Sequence, residues 1–347
     1  MDNLTHSLTG LALARSGLNR FSTHGTALAI ISSNIPDSDI LAITGGSLKY
    51  FEAHRGYTHS LLLLPVMAAV SVLLVAAIFR TRLPWRKAFL LCCICVAGHL
   101  LLDWTNSYGI RLLLPFSSRW FFADLNSLYD GVILGVLVLA ALWPFLNALV
   151  SNEIGSRASG GRGISIFALC FFGLFDCGRA VLHARAIGKM ETRLYDEMPA
   201  VAVAALPTAF NPLRWQGVVE TDRTLQLLDV SALAPLDLSS TEVFFKISPR
   251  YGFKALEETE PFHYLSYFAR FPVWSEQPVI SETGTAVRVE LTDLRFGVPG
   301  GGSFHAIAVQ DGQGRVVKSW FTFGSGANVG LTVPGQQPRA ADAAGNE

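Results

Sequence analysis

Four apolar runs dominate the first half of the chain. Residues 61–79 carry no charge over nineteen positions, and residues 131–150 carry none over twenty. Residues 88–102 are apolar apart from His99, and residues 164–182 apart from Asp176 and Arg179. A helix needs about twenty residues to cross the hydrocarbon. The first and third runs meet that length outright; the second meets it only with Asp103 and Trp104 at an interface. Two shorter runs, 5–16 and 24–33, flank the turn-like residues 17–21. Each is too short to cross. They are expected as half-helices, in a re-entrant hairpin or packed on the full spans, which a bilayer tolerates where protein covers the backbone ends.

After residue 195 the pattern shortens. Residues 218–230, 241–247, 261–270, 286–295, 304–310 and 316–323 are rich in Val, Phe, Tyr and Thr and read as strands. Asp311-Gly312-Gln313-Gly314 reads as a hairpin turn. The predicted fold is thus a mainly α-helical membrane domain over 1–190, with about four transmembrane helices plus an amino-terminal helical hairpin. A small antiparallel β domain over 195–330 and a disordered tail over 331–347 follow. His263 and His305 lack metal spacing and are read as structural. Residues 299–302 are read as a flexible loop, because no helix follows to make them a phosphate cradle.

Composition sharpens this picture. Half of the 347 residues are apolar, 16% are charged and mean hydropathy is +0.37, whereas an average soluble chain carries about 25% charge. Twenty-seven basic residues balance twenty-seven acidic ones, so no basic excess exists to hold nucleic acid. Five cysteines lie in apolar sequence, which suits helix packing better than disulfides or a zinc–thiolate site. Residues 1–10 lack the basic start and apolar core of a signal peptide, so a permanent anchor is expected.

The loops orient the spans. Arg80, Arg82, Arg86 and Lys87 occur within eight residues without an acid, and cationic short loops stay cytoplasmic. Arg157 and Arg162, outnumbering Glu153, and Arg15 with Arg20 agree with that sense. Segments 34–60, 99–130 and everything after 183 are then expected on the opposite, extracytoplasmic face. The aromatic group Trp104, Tyr108, Trp120, Phe121, Phe122 and Tyr129 suits a headgroup layer, with a loop core as the alternative.

That face gathers the chemistry. His6 starts the first half-helix, Asp37 and Asp39 follow the second, His54 and His59 precede the first full span, and His99 and Asp103 close the next. His99 and Asp103 are four apart, so a helix presents both on one side, a spacing used by helical metal motifs. Imidazole and carboxylate suit zinc, manganese or iron. Asp37 and Asp39 are two apart, so only one is expected to point inward, and Gly56 allows a turn that aims both His54 and His59. The candidate metal ligands are His6, Asp37, Asp39, His54, His59, His99 and Asp103, enough for one or two divalent ions, with zinc favoured. Arg55 is read as orienting a phosphate or carboxylate, or as meeting headgroups. Asp124 and Asp130 are candidate general bases, with capping of the next span as the alternative. His24 and His183 are read as interfacial residues, and Asp176 with Arg179 as a structural pair.

These segments, Leu-Thr-His-Ser, Asn-Ile-Pro-Asp-Ser-Asp, His-Arg-Gly-Tyr-Thr-His-Ser and His-Leu-Leu-Leu-Asp-Trp-Thr-Asn-Ser-Tyr-Gly, resemble the YdjM-type family over about residues 1–145. The resemblance implies an inner-membrane, LexA-regulated, metal-dependent hydrolase of bacterial or archaeal type, with His6, Asp37, His54, His59, His99 and Asp103 at matching positions. It supplies no substrate. A more distant likeness to zinc-dependent phospholipase C rests on His99 and Asp103 and favours phosphoesters, although the amino-terminal Trp of those enzymes is missing here. The expectation is a membrane-bound hydrolase acting on an ester or phosphoester of a lipid or amphiphile. The rival reading is a non-enzymatic membrane module with a structural or sensory metal and a partner-binding β domain.

Overall fold

The computed structural model describes residues 1–153, 161–281 and 284–324. The expected tail over 331–347 and Arg157 lie outside the described residues. The described chain divides into two compact units, one of residues 1–221 and 227–242, the other of residues 222–226 with the chain from 243 onwards.

In the first unit, helix α1 (Asn3–Arg15) is capped by Asp2, whose side chain accepts from the Thr5 amide at 3.0 Å, the usual remedy for orphan first-turn donors. Helix α2 (Gly25–Ser32) folds back on it. The crossing is close because Gly10 has no side chain: a Cβ there would lie 2.6 Å from Ser33 Oγ and 2.7 Å from the Ala29 carbonyl. This is the predicted hairpin. A 3-10 segment (Ile35–Gly45) leads to the short helix α3 (Ser47–Ala53) and a 3-10 turn (Tyr57–His59).

Helices α4 (Leu64–Ile78), α5 (Trp85–Trp104), α6 (Gly131–Glu153) and α7 (Arg162–Glu191) follow. Among the described residues, α5, α6 and α7 are long and apolar enough to cross a membrane. Helix α4 alone is not; it becomes a fourth candidate only joined to residues 47–59 across a 92° bend. The run expected as a continuous span over 61–79 is thus shorter, because Ser60 to Leu63 turn the chain before Pro65. Small residues close the core between helices: Ala14, Ala29, Ala68, Ala88, Cys92 and Cys95 are fully buried together. All five cysteines are free, as helix packing requires.

Short strands β1 (Leu194–Tyr195) and β2 (Met198–Pro199) pair antiparallel. Strands β3 (Ala202–Pro207), β4 (Arg214–Glu220), β5 (Thr224–Ser231) and β6 (Glu242–Phe245) form a sheet in that order. The expected strand over 218–230 is two strands, broken at Thr221 to Arg223. The carboxyl-terminal end of α7 packs on this sheet: Ala186 and Met190 are buried with Tyr195, Trp215 and Leu228. Lys189 Nζ ties the carbonyls of Ser231, Ala232 and Ala234 at 2.8, 2.9 and 2.7 Å.

The second unit holds α8 (Lys254–Glu257), α9 (Glu260–Phe268) and the sheet of β7 (Pro272–Ser281), β8 (Gly284–Asp293), β9 (His305–Gln310) and β10 (Val316–Thr322), ordered β10-β9-β8-β7. The Asp311 to Gly314 hairpin turn is present between β9 and β10, with Gly314 at φ +79°. Residues 261–270 are a helix where a strand is expected. Phe262, Leu265 and Phe268 are buried, and a step of three puts them on one helical face, not one strand face. Pro261 sits in the first turn, where its missing N–H costs nothing.

Candidate metal centre

The amino end of α1, the segment after α2, the bend before α4 and the carboxyl end of α5 meet at one place. His99 and Asp103 stand one turn apart on α5, both buried. The Nδ1 atom of His99 lies 2.7 Å from the Ser33 carbonyl. A carbonyl oxygen only accepts, so Nδ1 carries the hydrogen and Nε2 presents its lone pair. Ser33 caps the end of α2, where carbonyls have no helical partner; the helix end therefore orients the imidazole.

His59 is set the same way from another side. Its Nδ1 lies 3.0 Å from Thr58 Oγ1 and 3.5 Å from Asp39 Oδ2, and the Thr58 hydroxyl donates to Asp39. Its Nε2 then faces the Nε2 of His99 at 3.1 Å. Asp103 Oδ2 lies 3.3 Å from each of these nitrogens, and Asp37 Oδ1 lies 3.5 and 3.7 Å away. Zinc–ligand bonds of about 2.0–2.1 Å in a tetrahedron imply ligand-to-ligand distances of about 3.3 Å. Five separations in the Asp37, His59, His99 and Asp103 group therefore match the edges of such a polyhedron. Asp103 Oδ2 is buried with no hydrogen-bond partner, as is Asp37 Oδ2, and buried polar atoms are seldom left so. These groups are positioned to hold a metal ion.

A second group, Asp37, Asp39 and His54, shares Asp37 with the first. His54 Nδ1 lies 3.1 Å from Asp39 Oδ1. Burial alone would raise the Asp39 carboxyl, but the His54 hydrogen bond, the His54 and His59 charges and the Arg55 amide hold it below the usual carboxylate range. Asp39 thus supports both histidines. Both acids reach the clusters, where one was expected: Asp37 Oδ1 faces the His59 and His99 Nε2 atoms, while Asp39 meets His54 and the Nδ1 side of His59.

Arg55 adopts φ +54°. Its guanidinium donates to Asp103 Oδ1 and Asn106 Oδ1, each at 2.9 Å, and lies 4.7 Å over the Tyr108 ring. It is 2% exposed, which places it under the cluster and not at a headgroup layer. His6 stacks on His99 at 3.8 Å, and its Nε2 lies 3.4 Å from Asp103 Oδ1. The Met1 amino group also donates to Asp103 Oδ1. Gly56 matters for a close approach: a Cβ would lie 2.7 Å from Arg111 Nη2, which donates to the Glu52 carbonyl.

Other candidates lie elsewhere. Asp130 Oδ1 accepts from the amides of Val132 and Ile133 at 3.1 and 3.2 Å, and Oδ2 lies 3.9 Å from Arg179; these are the contacts of a cap for α6. Asp124 is buried, at φ +54°. Asp176 accepts from Asn126 at 2.7 Å and Arg179 donates to the Leu125 carbonyl, so each takes a partner from the 124–130 loop. His24 stacks on Phe79, and His183 meets Trp215 edge-on. His305 is buried and 2.7 Å from Glu290, while His263 is exposed. The Ser33 carbonyl, Tyr108 and Arg111 are not legible as site residues from sequence; none belongs to a recognisable ligand pattern.

The fold and site together define an α-helical unit with membrane-length spans and a buried His–Asp metal cradle at the end of one of them. The chain belongs to the YdjM inner membrane protein family, whose model matches residues 1–184. It is also similar to the uncharacterized protein YfhP of Bacillus subtilis (strain 168), 24% identical over 216 residues, covering 59% of this chain and 61% of that protein. The chain thus spans about three fifths of the length of that relative. No solved structure matches it.

Proposed function

We propose that the chain is a membrane-bound metal-dependent hydrolase acting on an ester or phosphoester of a lipid or amphiphile. The observation that carries this reading is the tetrahedral spacing of the His59 and His99 Nε2 atoms, Asp103 and the partly exposed Asp37. Zinc is the favoured ion, and a second ion sharing Asp37 would be held by Asp39 and His54. Bound there, a divalent ion would activate a water and polarise the scissile oxygen. The chain's own groups hold Asp103 in place through Arg55 and fix both imidazoles through the Ser33 carbonyl and Asp39.

Two features support an amphiphilic substrate. Leu61, Leu62, Leu101 and Trp104, neighbours in sequence of the ligands, are exposed, which suits entry from the bilayer. An open cavity of about 530 Å³ lies beside the bend, lined by Lys49, Glu52, Gly56, Tyr57 and Arg111 among others. Lys49 pairs with Glu52 at 2.9 Å, which leaves Arg111 as the one cation in excess among the described lining residues, in keeping with a singly anionic headgroup. The basic loop before α5, with the metal ligands at the other end of that helix, supports a site on the extracytoplasmic face. The β-rich region is assigned to the same side.

One observation favours a second reading. Four protein donors fill a tetrahedral ion, as in structural zinc sites, whereas catalytic sites keep a position open. Metal analysis of the purified protein, followed by a lipid-phosphoester hydrolysis screen with and without chelator, separates the two. The hydrolase reading expects bound metal and chelator-sensitive turnover in a protein that stays folded. Loss of the fold on chelation, with no turnover beforehand, identifies a structural metal. Reporters fused after Asn152 and after Tyr195 should land in different compartments.

A further inference from the structure

Helix α5 has two polar ends. The metal ligands His99 and Asp103 occupy its last turns, and about 21–27 Å away, at 1.5 Å per residue, lies its amino end. There the loop before α5 meets the turn between α1 and α2 around a cavity of about 610 Å³. Arg20, Ser22, Arg82, Trp85, Arg86 and Lys87 contribute to its lining, and no acid does.

Three features of this cavity suit an anion. Arg20, Arg82, Arg86 and Lys87 are exposed and form no ion pair among the described residues. Arg86 and Lys87 lie in the first turn of α5, which has no acidic residue and no side-chain cap, so two cations sit at the positive end of the helix dipole. The Ser22 hydroxyl, 8% exposed, has no hydrogen-bond partner, although buried polar groups are normally satisfied. Trp85, half-exposed beside these groups, is a residue type that settles at the headgroup level.

We infer that this cavity binds the phosphate of an anionic phospholipid at the membrane face opposite the metal cradle. The free amides of the first turn of α5 and the Ser22 hydroxyl would donate to phosphate oxygens, while the four cations supply charge. Trp85 would lie along the glycerol and upper acyl region. None of the metal-site residues takes part, so this site stands or falls independently of hydrolysis.

The test uses the full chain purified in detergent, with phosphatidylglycerol and phosphatidylcholine as probes and retained lipid read by native mass spectrometry. Phosphatidylglycerol should be retained preferentially. Each of R82Q, R86Q and K87Q should lower its binding roughly five-fold, and S22A should lower it with the fold unchanged. R80Q, which alters the same loop outside the cavity lining, should have little effect, and millimolar inorganic phosphate should not displace the lipid. Equal losses for R80Q and R86Q would mean diffuse surface attraction and overturn the site. Unchanged binding in S22A, equal retention of phosphatidylcholine, or displacement by free phosphate would overturn it too.

Discussion

The Nε2 atoms of His59 and His99 face one another at 3.1 Å, from elements forty positions apart in sequence. Each ring is turned by a partner on its Nδ1 side, so both Nε2 atoms converge on one point beside the Asp103 carboxylate. A metal ion at that point would be shared by both imidazoles. Substituting either histidine with Ala should therefore remove bound metal by more than the roughly 10–100-fold that a supporting residue costs. Elemental analysis of the purified variants measures this; metal content equal to the parent would refute the ligand assignment.

Asp39 has a different task. It contacts His54 and His59 through separate oxygens, so Asp39→Ala should weaken binding at the His59–His99 position about 10–100-fold while leaving it saturable, and should remove any second ion held with His54. Titration with a competing chelator gives the affinity. A variant that cannot be loaded at any metal concentration would instead make Asp39 an indispensable ligand.

Arg55 and Asp103 form a buried ion pair at 2.9 Å. Stranding a buried charge costs about 3–5 kcal/mol, and removing Arg55 leaves Asp103 Oδ1 with the Met1 amino group and His6, so the loss should fall below that. Arg55→Met should lower the melting temperature of the metal-stripped protein markedly. Added metal should restore part of the difference by neutralising Asp103, and a melting temperature unchanged from the parent would show that the pair contributes little.

The second unit should lose stability in acid. Burial by itself would raise the Glu290 carboxyl, but the His305 hydrogen bond, the Gly300 amide and Arg288 outweigh it and lower it from 4.5 to about 2. A carboxylate depressed on folding stabilises above its unfolded value, and that contribution fades as pH falls from about 4.5 towards 2. Melting curves across that window should slope downward with acid for the parent and less steeply for Glu290→Gln. Parallel slopes would remove Glu290 as the cause.

Some of this was legible from local pattern. Uncharged runs of span length, the His99 and Asp103 spacing and the Gly10-bearing hairpin each depend on neighbours in sequence, and hydrophobic periodicity reports them directly. The same approach failed at residues 261–270, where aromatic composition suggested a strand, although the buried step of three and Pro261 mark a helix. It also extended α4 through residues 61–63, because apolar composition does not show where a chain bends.

By itself, then, the sequence determined which segments are apolar enough to leave water and which residue types can bind a metal, since both follow from side-chain chemistry read one segment at a time. Only the tertiary structure decided which nitrogen of each imidazole faces the cluster, that both Asp37 and Asp39 turn inward, and that Asp130 caps α6 beside Arg179. Those outcomes depend on the Ser33 carbonyl, on Thr58 and on the bend before α4. Backbone groups and bends become partners only when distant segments pack, and they carry no residue signature of their own.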